Sequence, residues 1–249
     1  MKRFFSVFVV LCVFVVSFAQ INSNEKFVYV GSYNMSGLMT QLAQITIQTN
    51  SIKTSKKTYL HLSVIASTFS KWDNFFKIRD MYESYVDPTT LKPSLYKRNV
   101  LEGNYKQTEK YIFNGGKVSS TSTRMENAPV TKTVTVGSST TDIVTMVFKL
   151  RKMDLSKLSP GQVLGFNVVF DDREYPVSVK YMGKETKNAA NLGNKECYKF
   201  SIGAKTNALR GADKNLIWLT ADDKKIPVFI QFSIKVGTGQ VKLTSASGV

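Results

Sequence analysis

Arg79-Asp80-Met81-Tyr82-Glu83-Ser84-Tyr85-Val86-Asp87-Pro88-Thr89-Thr90-Leu91-Lys92-Pro93 is the stretch from which the fold can be read outward. Its first half alternates, with Tyr82 and Val86 on one face of an extended segment and Met81, Glu83 and Tyr85 on the other. Successive strand side chains point to opposite faces, so only one of Tyr82 and Tyr85 can face the hollow of a curved sheet. Asp87-Pro88 ends the strand: proline has no N–H to donate and biases the residue before it towards extended geometry. The stretch therefore reads as strand, turn, strand.

Upstream, three strands are predicted. Glu25 to Tyr33 places Phe27, Tyr29 and Gly31 on one face, and Leu38 to Thr49 alternates through Met39, Gln41, Ala43, Ile45 and Ile47. Thr58 to Thr68 turns Leu60, Leu62, Val64 and Ala66 inward and leaves His61, the single histidine, on the opposite face. Ser70 to Ile78 departs from the period of two. Trp72, Phe75, Phe76 and Ile78 are spaced for the apolar side of a short helix with Ser70 as N-cap.

Downstream, Tyr96 to Leu101 and Asn104 to Phe113 continue the strands, and Asn114-Gly115-Gly116-Lys117 is a hairpin signal. Val118 to Met125 and Val130 to Val136 follow. Asp142 then opens a second helix. Its apolar side is Ile143, Val147 and Leu150, widened by Val144, Met146 and Phe148, and Lys149, Arg151 and Lys152 close it. An acid at the start and bases at the end suit the helix dipole. Its β-branched residues call for support from a sheet. From Gln162 a meander runs to Thr244, turning at Asp171-Asp172, Gly183-Lys184, Asp222-Asp223 and Gly237-Thr238-Gly239. The pattern predicts an all-β fold of about eleven to thirteen antiparallel strands with two short helices. One curved sheet or incomplete barrel with a helix packed on it accounts for this order.

Lys2 and Arg3, an apolar run from Phe4 to Phe18, and Ser17-Phe18-Ala19 read as a secretory signal peptide cleaved after Ala19. At roughly 15 apolar residues the run is short for a membrane span, which takes about 20. Residues 20–249 then form a single exported β-rich domain that does not span a membrane. That domain keeps one cysteine, Cys197, so no internal disulfide can form and stability must come from a core. The formal charge of +16 becomes +14 when Lys2 and Arg3 leave. Basic residues are scattered in short pairs, which suits attraction to anionic envelope material such as lipid head groups or acidic glycans. No recognition helix or finger spacing points to nucleic acid.

No catalytic set is read in the sequence. G-x-S-x-G, H-E-x-x-H and paired-cysteine spacings are missing from it, and one histidine cannot supply a histidine metal cluster. Asp171-Asp172 and Asp222-Asp223 fall where hairpins turn, a place aspartate favours for its own backbone bonding. Gly-rich phosphate loops do not occur, and no cofactor is expected. Aromatics in strands (Tyr82, Tyr85 and Trp218 among them) suit a concave groove with a few polar handles. Arg79, beside Tyr82, and Arg151, at the helix end, could supply anion contacts. These five residues, Arg79, Tyr82, Tyr85, Arg151 and Trp218, are the ligand-binding candidates.

Arg79-Asp80-x-Tyr82-Glu83-Ser84-Tyr85-Val86-Asp87 with Leu91-x-Pro93 resembles the exported-protein family catalogued as domain of unknown function 3108, common in Bacteroidota and related Gram-negative bacteria. The likeness continues in Arg98-x-Val100-x-Glu102-Gly103-x-Tyr105, Asp142, Arg151, Pro160-Gly161, Tyr181-x-Gly183-x-Glu185, Cys197, Trp218-x-Thr220-x-Asp222 and Pro227-Val228. It spans nearly all of the chain beyond the leader. The resemblance implies a β-rich envelope protein and carries no catalytic residues to transfer. Together with the charge it leads to three expectations. The first is a non-enzymatic periplasmic protein binding an apolar or anionic amphiphilic component, a lipid, lipoprotein or glycan. The second is a structural protein docking an envelope protein complex. The third is an enzyme acting on glycan or lipid.

Overall fold

The computed structural model describes residues 21–35, 37–204, 214–234 and 237–249. The expected signal peptide, 1–19, lies outside them. Among the described residues fourteen strands follow one another: β1 Lys26–Met35, β2 Leu38–Lys53, β3 Thr58–Thr68, β4 Arg79–Val86, β5 Pro93–Glu102, β6 Tyr105–Asn114, β7 Lys117–Arg124, β8 Val130–Thr135, β9 Val163–Phe170, β10 Arg173–Asn188, β11 Asn194–Ala204, β12 Leu216–Thr220, β13 Pro227–Ile234 and β14 Gly237–Ser247. Helix α1, Ile143–Lys152, separates β8 from β9. All strands belong to one antiparallel sheet in the order β8-β7-β6-β5-β4-β3-β2-β1-β14-β13-β12-β11-β10-β9. Consecutive strands pair except β8 and β9, which are the two edges of the sheet, and β1 pairs with β14 to join the two halves. No helix among the described residues is long and apolar enough to cross a membrane.

The sheet curves around α1 without closing. The helix packs against β3 and β4 near the middle of the sheet and against β9 at its edge. Met146 and Leu150 join a cluster with Val179, Phe200 and Leu219, while Val144 and Phe148 join another with Leu62, Tyr96 and Tyr111. A third cluster, around Phe27, Tyr29, Trp218 and Val228, fills the region where β1 and β14 meet. Each large side chain buried this way contributes about 1.5–3 kcal/mol. The hollow of the sheet is thus a packed core with the helix as its filling.

The second helix begins as its sequence requires. The Asp142 carboxylate accepts from the Thr145 backbone N–H at 2.8 Å and from the Thr145 hydroxyl at 2.7 Å. It also accepts from Ser84 Oγ at 2.6 Å, which ties the helix start to β4. Burial pushes this carboxyl up, although these bonds favour its charged form. One expected detail differs: Ile143 is exposed, and the buried residues are Val144, Thr145, Met146, Phe148, Leu150 and Arg151. A helix held between two walls is buried almost all round, so no single stripe describes it.

The expected helix at Ser70–Ile78 is a correction. Only Ser70–Trp72 forms a single 3-10 turn, with Phe69 at its N-cap and no side-chain cap. The segment is a corner pinned to its neighbours. The Trp72 indole N–H donates to Gln41 O at 2.8 Å, and Asp73 takes Thr68 Oγ1 at 2.6 Å and Arg79 Nη1 at 3.0 Å. Phe75 and Phe76 are exposed, so the spacing that suggested an apolar helix face buries neither ring.

The two edges of the sheet differ. Beside β9, Thr141 N donates to Asn167 O at 3.0 Å and Thr141 O accepts from Val169 N at 2.9 Å, so the linker before α1 covers this edge. Beyond β8, no described backbone group bonds to the outer side of Val130–Thr135.

Candidate functional site

The five candidates are placed in five separate settings. Arg79 is spent on the corner, bonding Asp73, Thr68 Oγ1 at 3.0 Å and the Ile78 carbonyl. Tyr85 faces the convex side, stacked on His61 with ring centroids 4.6 Å apart. Tyr82 faces the hollow and packs against the cluster that holds Tyr96 and Phe148. Arg151 is 1% exposed and grips Glu25 with both guanidinium ends, at 2.7 and 3.0 Å. Trp218 is buried, its indole N–H donating to Glu185 Oε2 at 3.1 Å. Lys187 and Lys199 lie 4.6 and 5.2 Å from the Trp218 ring and both bind Glu185. The hydrogen bond from Lys187, ahead of those from Trp218 and Lys199, holds the Glu185 carboxyl down at about 2.

Tyr82 borders a polar array that crosses the hollow. Register places Val64, Tyr82, Arg98, Glu109, Ser122 and Val130 side by side from β3 to β8. Arg98 is 7% exposed. It binds Gln107 Oε1 at 2.7 Å, Glu109 Oε2 at 3.2 Å and Asp171 Oδ1 at 3.2 Å, and its guanidinium lies 4.5 Å from the Phe170 ring. Gln107 passes the chain on, donating to Glu109 Oε1 at 2.9 Å and accepting from Tyr105 OH at 2.6 Å. Burial pushes the Glu109 carboxyl up, against the pull of Arg98. Arg98 Nε is buried with no acceptor, which is costly in a core.

The carboxylates arrive from the far end of the sheet. Asp171 and Asp172 form the two-residue turn between β9 and β10, with φ of 46° and 60°. Both lie in the left-handed region, which aspartate enters more readily than most residues. The turn seats on the inner face of β5–β7. Asp172 accepts from Ser120 and Ser122, its N–H donates to Tyr111 OH at 3.4 Å, and Lys132 Nζ lies 3.4 Å away. Arg124 reaches Asp171 at 3.8 Å. This contact draws the open seam together between the β7–β8 end and the β9–β10 end.

Outside the turn the seam opens as a cleft of about 390 Å³, with Ser122, Arg124, Lys132, Asp171, Arg173 and Tyr175 in its wall. Arg124 and Lys132 are half or more exposed, and Arg173 is exposed with no ion-pair partner among the described residues. Chemically this is a polar recess with cations on its rim and hydrogen-bonding groups on its wall. It can take a small charged or hydroxylated group. Its carboxylates are already engaged by arginine, lysine or serine.

Reading from sequence missed this array. The signal was there: in β5 and β6, Arg98, Gln107 and Glu109 occupy the same alternate positions as Tyr96, Val100 and Tyr111. Charged residues at inward positions break the binary pattern, and such breaks mark functional or strained places.

A crystal structure from Brucella abortus, described as a beta-barrel-like protein of domain of unknown function DUF1849, shares the fold with a TM-score of 0.59. The two chains are 9% identical, over 92% of this chain and 98% of that one. An exported-protein candidate with YmcC-like fold from Bacteroides fragilis aligns over 92% and 98% of the chains at 8% identity, with a TM-score of 0.32. A lipoprotein candidate from Parabacteroides distasonis gives 92%, 97%, 8% and 0.33. Scores that low carry no argument, and the Brucella likeness shows the fold alone. No curated protein matches the chain. The family model described as "Protein of unknown function (DUF3108)" matches residues 29–244, and the chain belongs to that family.

Proposed function

We propose that this chain is a non-catalytic, exported protein of the Gram-negative envelope that binds the anionic polar part of an envelope component at the seam cleft. The observation that carries the reading is the contrast between a filled hollow and an open polar recess. Tyr82, Tyr96, Phe148 and Leu150 occupy the space where an acyl chain would have to lie. The recess of about 390 Å³ instead offers Arg124, Lys132 and Arg173 to a charged group. A leader-like start and the excess of lysine and arginine support placement among anionic lipids and glycans. Engagement of every seam carboxylate by a cation, a hydroxyl or the Gln107 amide argues against a free acid–base pair, and so against the enzymatic reading.

The test is calorimetric titration of the protein lacking residues 1–19 with an oligogalacturonate and with soluble phosphorylated glucosamine. Binding of either that weakens at least tenfold in Arg173→Ala and falls with added salt supports the reading. Binding that Arg173→Ala leaves unchanged, or no binding of either probe, defeats it.

A further inference from the structure

The outer edge of β8 gives an inference of a different kind from the cleft. Even-numbered residues of β8 bond inward to β7: Val136 N donates to Gly116 O at 2.9 Å, and the register continues Val134↔Val118, Lys132↔Ser120 and Val130↔Ser122. In an antiparallel pair the bonded positions alternate. Thr131, Thr133 and Thr135 therefore turn both N–H and C=O away from the sheet. Five of the six residues of the strand are exposed, the exception being half-buried Val134. β8 has no proline and no bulge, and its one charge, Lys132, points into the cleft towards Asp172. Edge strands are ordinarily blunted by proline, bulges or charges, or are covered; Lys132 is one such device here, and it leaves the outward backbone groups of Thr131, Thr133 and Thr135 open. The opposite edge is covered, at Asn167 and Val169, by Thr141.

We propose that β8 receives an extended, acidic segment of a partner protein as a fifteenth, antiparallel strand. Backbone bonds to Thr131, Thr133 and Thr135 would supply affinity, as in other strand-addition complexes. Charge decides the chemistry of the occupant. Between Lys117 and Thr135 the chain carries Lys117, Arg124 and Lys132 against the single acid Glu126. Lys117 stands on the convex face beside Thr135, and Lys132 and Arg124 stand on the inner face. An added strand would lie about 5 Å from β8 and about 10 Å from β7, so its convex-side residues approach Lys117, while on the inner face Lys132 and Arg124 are already paired with Asp172 and Asp171. Further along the convex face Lys97 and Lys110 sit directly opposite each other, with Glu83 on the other side of Lys97, so that Lys110 is the end of the row left to an added anion. Lys110 and Lys117 have no ion-pair partner among the described residues.

The probe is a labelled eight-residue peptide alternating threonine and glutamate, titrated by fluorescence anisotropy against the protein lacking residues 1–19. Its controls are the same peptide with lysine for glutamate and one with alternate amides N-methylated. The acidic peptide should bind at least tenfold more tightly than either control. Thr133→Pro, which removes an outward donor and no bond to β7, should weaken it at least tenfold with an unchanged circular dichroism spectrum. Should that variant fail to fold, the N-methylated peptide tests the same backbone bonds on the wild-type protein. Arg173→Ala, the cleft variant, should leave peptide binding unchanged, so the two proposals fail separately. Equal binding of all three peptides overturns the inference. So does a wild-type dimer, seen by light scattering, that Thr133→Pro converts to monomer, because the edge then serves a second copy of the chain.

Discussion

Among the described residues two buried arginines enter the hollow of this sheet, and they are treated differently. Arg151, on α1, is 1% exposed and closed on every side. Glu25 meets it in a two-pronged pair, and the Lys224 and Lys225 carbonyls accept from Nε at 3.3 and 3.2 Å. Its guanidinium also lies 5.2 and 5.1 Å from the Phe27 and Phe148 rings. Arg98, on β5, meets a glutamine and a glutamate from β6 and an aspartate from the β9–β10 turn, and its Nε has no acceptor among the described residues. Asp171, which holds its outer side, is 41% exposed. A fully satisfied buried ion pair fixes geometry, here the seat of the helix against β1 and the β12–β13 turn. A partly satisfied one next to solvent leaves bonding capacity in hand, which is the expected condition of a recognition site.

The largest effect should come from breaking the closed pair. Arg151→Met strands the Glu25 carboxylate in the core and should cost about 3–5 kcal/mol in urea unfolding, whereas the double variant Glu25→Met/Arg151→Met should recover most of that loss. Arg98→Met should cost about 1–2 kcal/mol, less than Arg151→Met, because Asp171 can rely on water. Glu109 gives this variant a pH signature. Its carboxyl is already pushed up by burial, and without Arg98 it favours the neutral form further, so the variant should lose more stability at pH 8 than at pH 5. A cost for Arg98→Met equal to that for Arg151→Met would erase the distinction between the two centres.

The smallest effect concerns Asp80, on the same inner face as Arg98. Burial, with Glu102 beside it, pushes this carboxyl up to about 6, although Leu101 N–H donates to it at 3.1 Å. The folded state then holds the proton more tightly than the unfolded chain does. Its contribution to stability is fully present below the ordinary value near 3.8 and is lost as pH rises through 6. Asp80→Asn keeps the acceptor for Leu101 and should flatten that slope, raising stability at pH 7 by about 1 kcal/mol. Unfolding curves at pH 4 and pH 7 would measure it, and an unchanged slope would remove Asp80 from the polar side of the comparison.

The sheet was legible because most strands carry their own period of two and most turns their own residues; Gly183-Lys184, expected as a turn, is instead a bulge within β10. Leu60, Leu62 and Tyr82 face the hollow as their alternation requires, and the Asp171-Asp172 and Asp222-Asp223 pairs are turns. The Ser70–Ile78 corner was not legible, since the spacing of Trp72, Phe75 and Phe76 imitates a helix while the bonds that shape it come from Gln41 and Thr68. The seam was half legible. Arg98 and Glu109 violate the inward pattern of their own strands, but Asp171 reaches Arg98 across 73 residues of chain. Local pattern holds no record of such a contact. The Arg79 and Arg151 side chains illustrate the same limit: their charge is plain in the sequence, and the partners that occupy it, Asp73 and Glu25, depend on the folded path.

The pairing of β1 with β14 bears on the order of assembly. Every other ladder joins sequence neighbours and can form by closing a short loop, which is entropically cheap and fast. The β1–β14 ladder instead joins Lys26 to Ser247 and must wait for almost the whole chain. Until then the facing edges of β1 and β13 are unpaired in the middle of what becomes a continuous sheet. A chain made or threaded from its N-terminus can therefore assemble β1–β8 hairpin by hairpin, but its sheet becomes continuous only when β14 docks.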